Sequence, residues 1–343
     1  MTTFKKGRVT SSNIATVIFF AYMLVFPAFA SEFGVLNYTN FMYQMLLASS
    51  MVLIWGYCGI YSFAQAAFYG LGGYCYGIIS KNIDVLALTP VAMVCSVIFC
   101  FLVALIIGYF LFYGGVNDSF IGIITLCFTL ALETFFQQTA SPKWKIGNVK
   151  LNGFNGINKI SALHIGDFDM SGTPFYYLVL ATILIVLLVL KRIEKRSTGY
   201  AMFAVRENPQ RSTMLGYHIA KIKTLVFAAG GAIAGLAGIY YTMWGGYIVP
   251  TSMNMTSATI PIVLAAAGGR KNPIAVYLFS MIYLQFAQAL AANGTQYSYV
   301  ILGVLLIVVV IFVPNGIVST LFDWLDEKLL SKLNRISEKE GKA

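Results

Sequence analysis

The chain has 343 residues, of which 58% are hydrophobic and only 10% are charged, with a mean hydropathy of +0.76. A soluble domain carries roughly 25% charged residues, so this chain cannot coat a globular surface of its length with polar groups. Composition therefore excludes a water-soluble enzyme and a disordered protein and, despite a net charge of +10, a nucleic-acid binder. The solvent for most of the chain is lipid.

A bilayer core about 30 Å thick needs roughly 20 apolar residues per helix. Such runs occur at 14–30, 41–57, 63–80, 85–112, 119–138, 173–190, 222–244, 274–292 and 298–318. A tenth, 256–267, is short and carries Pro261, and reads as a tilted span, a broken helix or a re-entrant hairpin. The runs are continuously apolar, not alternating, which excludes a barrel. The expected fold is an all-α, polytopic membrane bundle of about ten segments. A short N-terminal stretch (1–13) and a tail (323–343) flank a membrane domain over 14–322.

Basic residues orient this plan. With both termini cytoplasmic and all ten segments crossing, eighteen of the 23 Lys and Arg fall inside and five outside, the bias expected of cytoplasmic loops. The basic balance is then a matter of orientation and lipid headgroups. The first run follows basic residues and contains Ala28-Phe29-Ala30, features shared with a signal peptide, but it is long for one and nine further runs follow. It is read as an uncleaved first helix. Cys58, Cys75, Cys95, Cys100 and Cys127 lie in or beside spans without a C-x-x-C pair, and read as packing residues.

Two connections stand out. The external connection, 139–172, holds Trp144, the turn-rich Leu151–Gly156 stretch, and then His164, Asp167 and Asp169. Its length and its Asn-Gly turns favour a small folded lid or hairpin. The histidine and two aspartates lack the spacing of a zinc or calcium site, and a solvated loop is the simpler reading, so no metal is expected. The cytoplasmic connection, 191–221, places Tyr200, Phe203 and Ala204 at helical spacing. After Pro209, Thr213 to Leu215 suggest a second short helix that Gly216 ends. Pattern alone leaves two alternatives here: a rigid cytoplasmic knob, or an interfacial helix lying on anionic lipid.

At this connection a family becomes recognisable. Gly199-Tyr200-Ala201, Ala204 to Asn208, Leu215-Gly216-Tyr217 and Lys221-Ile222-Lys223 resemble the coupling segment of the branched-chain amino-acid-type permeases of ABC importers. Gly231 to Gly238 is similar to that family's small-residue helix, whose Gly-x-x-x-Gly spacing permits close backbone approach. Trp55-Gly56-Tyr57-Cys58-Gly59 running on to Tyr74 resembles its first signature. Gly153-Phe154-Asn155-Gly156 resembles its external turn, and Phe312-Val313-Pro314-Asn315-Gly316-Ile317 its terminal motif. The chain departs from the pattern at Asn117-Asp118-Ser119-Phe120 and in the short turn Gly268 to Pro273. The Gly-Gly-Arg and Trp-Gly-Tyr stretches also resemble the urea and short-chain amide branch of the family.

The resemblance implies partners: separate ATPase subunits, a second similar permease, an extracytoplasmic solute-binding protein at the Gly153, Asn155 and Gly156 turn, and membrane lipid. No G-x-x-x-x-G-K-[S/T] occurs in the chain, so ATP and magnesium belong to a partner subunit and no cofactor or catalytic residue is expected here. The ATPase contact would involve Tyr200, Phe203, Arg206, Glu207, Asn208, Arg211, Leu215 and Gly216. Tyr200, Phe203 and Leu215 would be buried in a cleft of the motor, and Arg206, Glu207 and Arg211 would give charged contacts.

Intramembrane polar residues are the default candidates for a solute path. They are Gln65, Tyr74, Thr129 and Glu133, with Gln44, Thr125, Gln285 and Gln288 behind them. Glu133 reads either as a cavity residue or as an interfacial one next to Gln137 and Gln138. An ATP-independent transporter or channel is the rival class, but it would want buried charge relays and paired repeats, and only one interior acid and no repeat is evident. A membrane-embedded enzyme would need convergent groups, and His164 and His218 fall on opposite sides.

Overall fold

The computed structural model describes residues 10–83, 85–166, 168–292, 303–304, 312–313 and 315–330. Its helices are α1 (Ser11–Val25), α2 (Glu32–Met51), α3 (Ala64–Ile83), α4 (Thr89–Tyr113), α5 (Asp118–Gln137), α6 (Thr173–Glu194), α7 (Ser197–Glu207), α8 (Pro209–Met214), α9 (Ile219–Gly245), α10 (Met255–Gly268), α11 (Pro273–Ala292) and α12 (Ile317–Leu325). Among the described residues, six helical stretches, containing α1, α4, α5, α6, α9 and α11, are long and apolar enough to cross a membrane. The chain is a polytopic helical membrane protein, as its composition requires. The expected run at 298–318 lies largely outside the described residues, as do Lys5, Lys6, Arg8 and the last thirteen residues.

The boundaries depart from the apolar runs where a helix is polar on its inner side. The second run suggests a start near residue 41, yet α2 begins at Glu32, where the Ser31 hydroxyl accepts the Gly34 N–H at 3.2 Å. Its early turns carry Asn37, Asn40 and Gln44, and Asn40 and Gln44 line a half-open cavity. Beyond Met51 the helix widens into a π turn, Val52–Tyr57. The short expected segment is the 14-residue α10, with Pro261 inside it.

The most deeply buried of the six spans is α9, which packs on α2, α3 and α4. Small residues make this possible. A Cβ on Gly235 would come 2.6 Å from the Cys100 sulfur of α4, and one on Gly72 of α3 would come 2.8 Å from the Gly235 Cα. Gly235 therefore sits where two helices approach one backbone at once, as the Gly-x-x-x-Gly spacing anticipates. Cys100 and Cys58 are buried packing residues, whereas Cys95 and Cys127 are exposed on the bundle surface.

Polar contacts sort the bundle into two ends. At one end Lys191 Nζ donates to Thr16 Oγ1 at 2.8 Å, the Ser11 N–H donates to Asp326 at 2.7 Å, and Lys223 pairs with Asp118 at 2.6 Å. Asn117-Asp118, where the sequence departs from the family pattern, thus anchors the start of α5 to the buried Lys223 of α9. The described chain ends and α7–α8 share this end. The opposite end carries three two-stranded ladders: β1 (Lys145–Ile146) with β2 (Val149–Lys150), β3 (Ile157–Asn158) with β6 (Tyr247–Ile248), and β4 (His164–Ile165) with β5 (Phe168–Asp169). The 139–172 connection accordingly folds as two small hairpins, with β3 between them paired to β6 after α9. Asn82 Nδ2 fastens it to α3 through the Ile146 carbonyl (2.9 Å), and the Thr89 hydroxyl fastens it to α4 by accepting from the His164 N–H (2.8 Å).

Candidate functional site

The connection between α6 and α9 folds as two short helices separated by a single residue. Gly199, Ala201 and Val205 bury one face of α7. Asn208 then leaves the helical region (φ −154°), and its side-chain oxygen accepts the Arg211 N–H at 2.9 Å, which starts α8 at Pro209. Gly216 ends α8 at φ +84°, a conformation that a Cβ disfavours, and the Tyr217 N–H returns to the Ser212 carbonyl at 3.1 Å. His218 caps α9 through its Nδ1, which accepts the Lys221 N–H at 3.4 Å. Every boundary inside this elbow thus has its own local cause.

The two faces of the elbow are unlike. Outward lie Arg211, half-exposed Tyr200, Leu215 (70% exposed) and Met214 (88% exposed). Inward lie Phe203 and Arg206, both expected at a partner's cleft. The Phe203 ring meets Tyr57 edge-on at 5.3 Å. The Arg206 guanidinium donates to the Gly56 carbonyl, sits 5.2 Å above Phe203 and donates to Glu207 Oε1 at 2.6 Å. That pairing holds the Glu207 carboxyl below the usual carboxylate range. Phe203 and Arg206 therefore tie the elbow to its own bundle, and Arg211, Met214 and Leu215 stay exposed beside them.

The seat they occupy is the Trp55-Gly56-Tyr57 stretch, which closes the π turn of α2. A π turn leaves carbonyls outside the normal α ladder, and Arg206 takes up one of them. From the other side Arg270 lies 4.9 Å above the Trp55 ring, so α7 and the α10–α11 turn clamp the same three residues. The sequence marks this stretch as a signature, but its role as a seat becomes visible only when α7 is folded against it.

The four solute-path candidates do not converge. Thr129 Oγ1 donates to the carbonyls of Thr125 (2.8 Å) and Phe63 (3.2 Å), and so splices α5 onto the start of α3. Glu133 is half-buried and accepts from Gln137 Nε2 at 3.0 Å, a pairing along its own helix. Tyr74 stacks on Phe136 at 4.0 Å and lines an apolar cavity of about 460 Å³. Gln65 is fully buried, with neither amide atom hydrogen-bonded among the described residues. A separate polar cavity of about 420 Å³ lies between α2, α3, α9 and the 247–260 stretch; Gln65, Tyr74, Thr129 and Glu133 do not line it. Of the weaker candidates it recruits Gln44. The polar turn spacing of Asn40 and Gln44 was the available signal, hidden because it shortens the apolar run.

At the ladder end, the turn expected to meet a binding protein divides. Asn155 and Phe154 are exposed, the latter at 67%, whereas Gly153 packs against the Gln137 carbonyl that ends α5 and against Ala140 just beyond it, and Gly156 packs on Ile248 and Val249. His164 Nε2 and Asp169 Oδ1 stand 3.9 Å apart, and donors from Ser171 hold Asp169 below the ordinary range. No cluster of three metal-ligating side chains occurs among the described residues, and Asp167 lies outside them.

Residues 35–310 match the family model described as the permease component of the branched-chain amino acid transport system. The chain belongs to this family. It is therefore a multi-pass, inner-membrane permease subunit. It is 22% identical to the high-affinity branched-chain amino acid transport permease LivM of Escherichia coli, over 91% of this chain and 76% of that one. A probable branched-chain amino acid permease LivM of Methanocaldococcus jannaschii is also 22% identical, over 87% of this chain and 90% of its own. The fructose import permease FrcC of Rhizobium meliloti is 24% identical over 42% of each chain. No solved structure matches.

Proposed function

We propose that this permease is the translocating subunit of an ABC importer for amino acids, branched-chain ones foremost, and that the α7–α8 elbow is its coupling element. The observation that carries the reading is the division of the elbow: Phe203 and Arg206 fasten it to the bundle, while Met214, Leu215 and Arg211 remain outward for a partner. An element that transmits displacement must be stiff toward its own bundle and apolar toward the motor, and this one is both. The elbow end is the cytoplasmic end, because eighteen of 23 basic residues fall there in a ten-span topology with both termini inside.

ATP and magnesium belong to a pair of ATPase subunits. Closure of those subunits rocks the bundle of this permease against that of a second, similar permease. A solute-binding protein docks on the ladder end, with Phe154 and Asn155 at the contact and the two glycines shaping the turn beneath. Lipid covers the exposed apolar sides of the spans. The partial likeness to a fructose permease supports a scaffold shared among cargoes, with selectivity supplied largely by the binding protein; urea and short-chain amides are the alternative cargo.

The test is uptake into proteoliposomes that contain the complete transporter. Accumulation of L-leucine that needs both ATP and the binding protein is expected. Leucine flux through this chain alone, without ATP, would instead place it with channels or secondary transporters.

A further inference from the structure

The polar cavity carries an inference about what passes through the bundle, one that rests on the transport reading above. Its volume, about 420 Å³, falls in the range of about 300–1,000 Å³ typical of small-molecule sites. Its walls are of three kinds. On α2, Gln44 Nε2 donates to Asn40 Oδ1 at 2.8 Å, which leaves the Gln44 oxygen and the Asn40 amino group as acceptor and donor for a solute or water. Facing them, Tyr241 lies 5.5 Å from Tyr69, 5.7 Å from Tyr247 and 5.8 Å from Tyr43, a cluster of aromatic faces. Leu47, Ala66, Val249 and Ile260 complete the lining with apolar surface.

No Asp, Glu, Lys, Arg or His is among the described residues lining this cavity. A charge taken out of water needs a counter-charge, so a solute with net charge finds no partner here. A zwitterion brings its own. Its ammonium can lie over tyrosine faces, its carboxylate can accept from the Asn40 amide and the Ser257 and Thr251 hydroxyls, and an aliphatic side chain can meet the apolar wall. Glu133, by contrast, is paired along α5 and lies outside the cavity.

We propose that this cavity is a station on the translocation path that admits net-neutral solutes, including zwitterions with an aliphatic side chain, and rejects the same skeleton when it bears net charge.

The experiment uses cells that express the complete transporter. In one arm, Gln44→Cys and Ser257→Cys variants are treated with uncharged methyl methanethiosulfonate or with its sulfonate-bearing and trimethylammonium-bearing analogues, with the unsubstituted protein as the control for native cysteines. The uncharged reagent is expected to label the new thiols and to cut L-leucine uptake at least tenfold, and both charged analogues are expected to label them at least tenfold more slowly. In the other arm, Gln44→Glu is expected to reduce leucine uptake at least fivefold at equal membrane abundance, with Gln65→Leu much closer to normal. L-Leucinamide and N-acetyl-L-leucine, net cationic and net anionic, are expected to compete poorly for uptake. Thiols that the uncharged reagent leaves unlabelled, charged analogues that label them equally fast, or Gln44→Glu working at the normal rate would overturn the proposal. A transporter that moves no leucine would instead contradict the cargo reading, and the labelling arm would still decide whether the cavity is a water-filled path.

Discussion

Arg206→Glu leaves the permease inserted in the membrane but lowers ATP-driven uptake at least tenfold. The guanidinium does three things at once: it donates to the Gly56 carbonyl, covers Phe203 and pairs with Glu207. A carboxylate at this position donates nothing to Gly56 and repels Glu207, so α7 loses its polar tie to the π turn. The loss falls on transmission more than on folding, because Val205, Ala201 and Gly199 still bury the inner face of α7. ATPase activity measured beside uptake in proteoliposomes separates the two: hydrolysis persists while uptake falls. Arg206→Lys gives an intermediate loss, since one ammonium cannot reproduce the forked geometry. Equal falls in uptake and in membrane abundance would show the residue to be merely structural.

Gly235→Leu acts on the fold itself. The new side chain would enter the space held by Cys100 of α4, with the Phe68 carbonyl of α3 3.6 Å from its first carbon. Overpacking by even a few methylenes costs about 1–3 kcal/mol, and here both neighbours are helices with little room to retreat. Folded protein recovered from membranes is expected to fall severalfold, with a lower thermal midpoint in detergent. Gly235→Ala is milder, and Cys100→Ala partly rescues it by removing the sulfur that the methyl would meet. Absence of that rescue would mean that the α3 backbone, and not Cys100, sets the limit.

The membrane class was legible from charge and hydropathy alone, because lipid imposes a composition that water does not. The elbow was legible for local reasons: Asn208-Pro209 starts a helix and Gly216 stops one wherever they fall in space. Gly231 to Gly238 announced a close helix contact by spacing. Facing was another matter. Phe203 and Arg206 were expected at the motor because the segment they belong to resembles a docking element, and only the return of α2 as a π turn beneath them shows that they face the bundle. The polar cavity was half hidden for a related reason. Polar residues that line a cavity interrupt an apolar run, so Asn40 fell just before the expected span and Gln44 was placed behind Thr129 and Glu133, which satisfy their own helices or a neighbouring backbone. Gly153 and Gly156 were expected at a binding-protein contact from the resemblance, but Gly153 packs against the end of α5 and Gly156 against the backbone of Ile248 and Val249.

The coupling role of the elbow is tested most directly by crosslinking. A cysteine placed at Met214 or Arg211, on the outward face, should be captured by a thiol-reactive crosslinker to the ATPase subunit in membranes, with yield that changes when ATP is bound. It should be reached by impermeant reagents only from the cytoplasmic side. No ATPase adduct from either position, or labelling of both from outside the cell, would contradict the account.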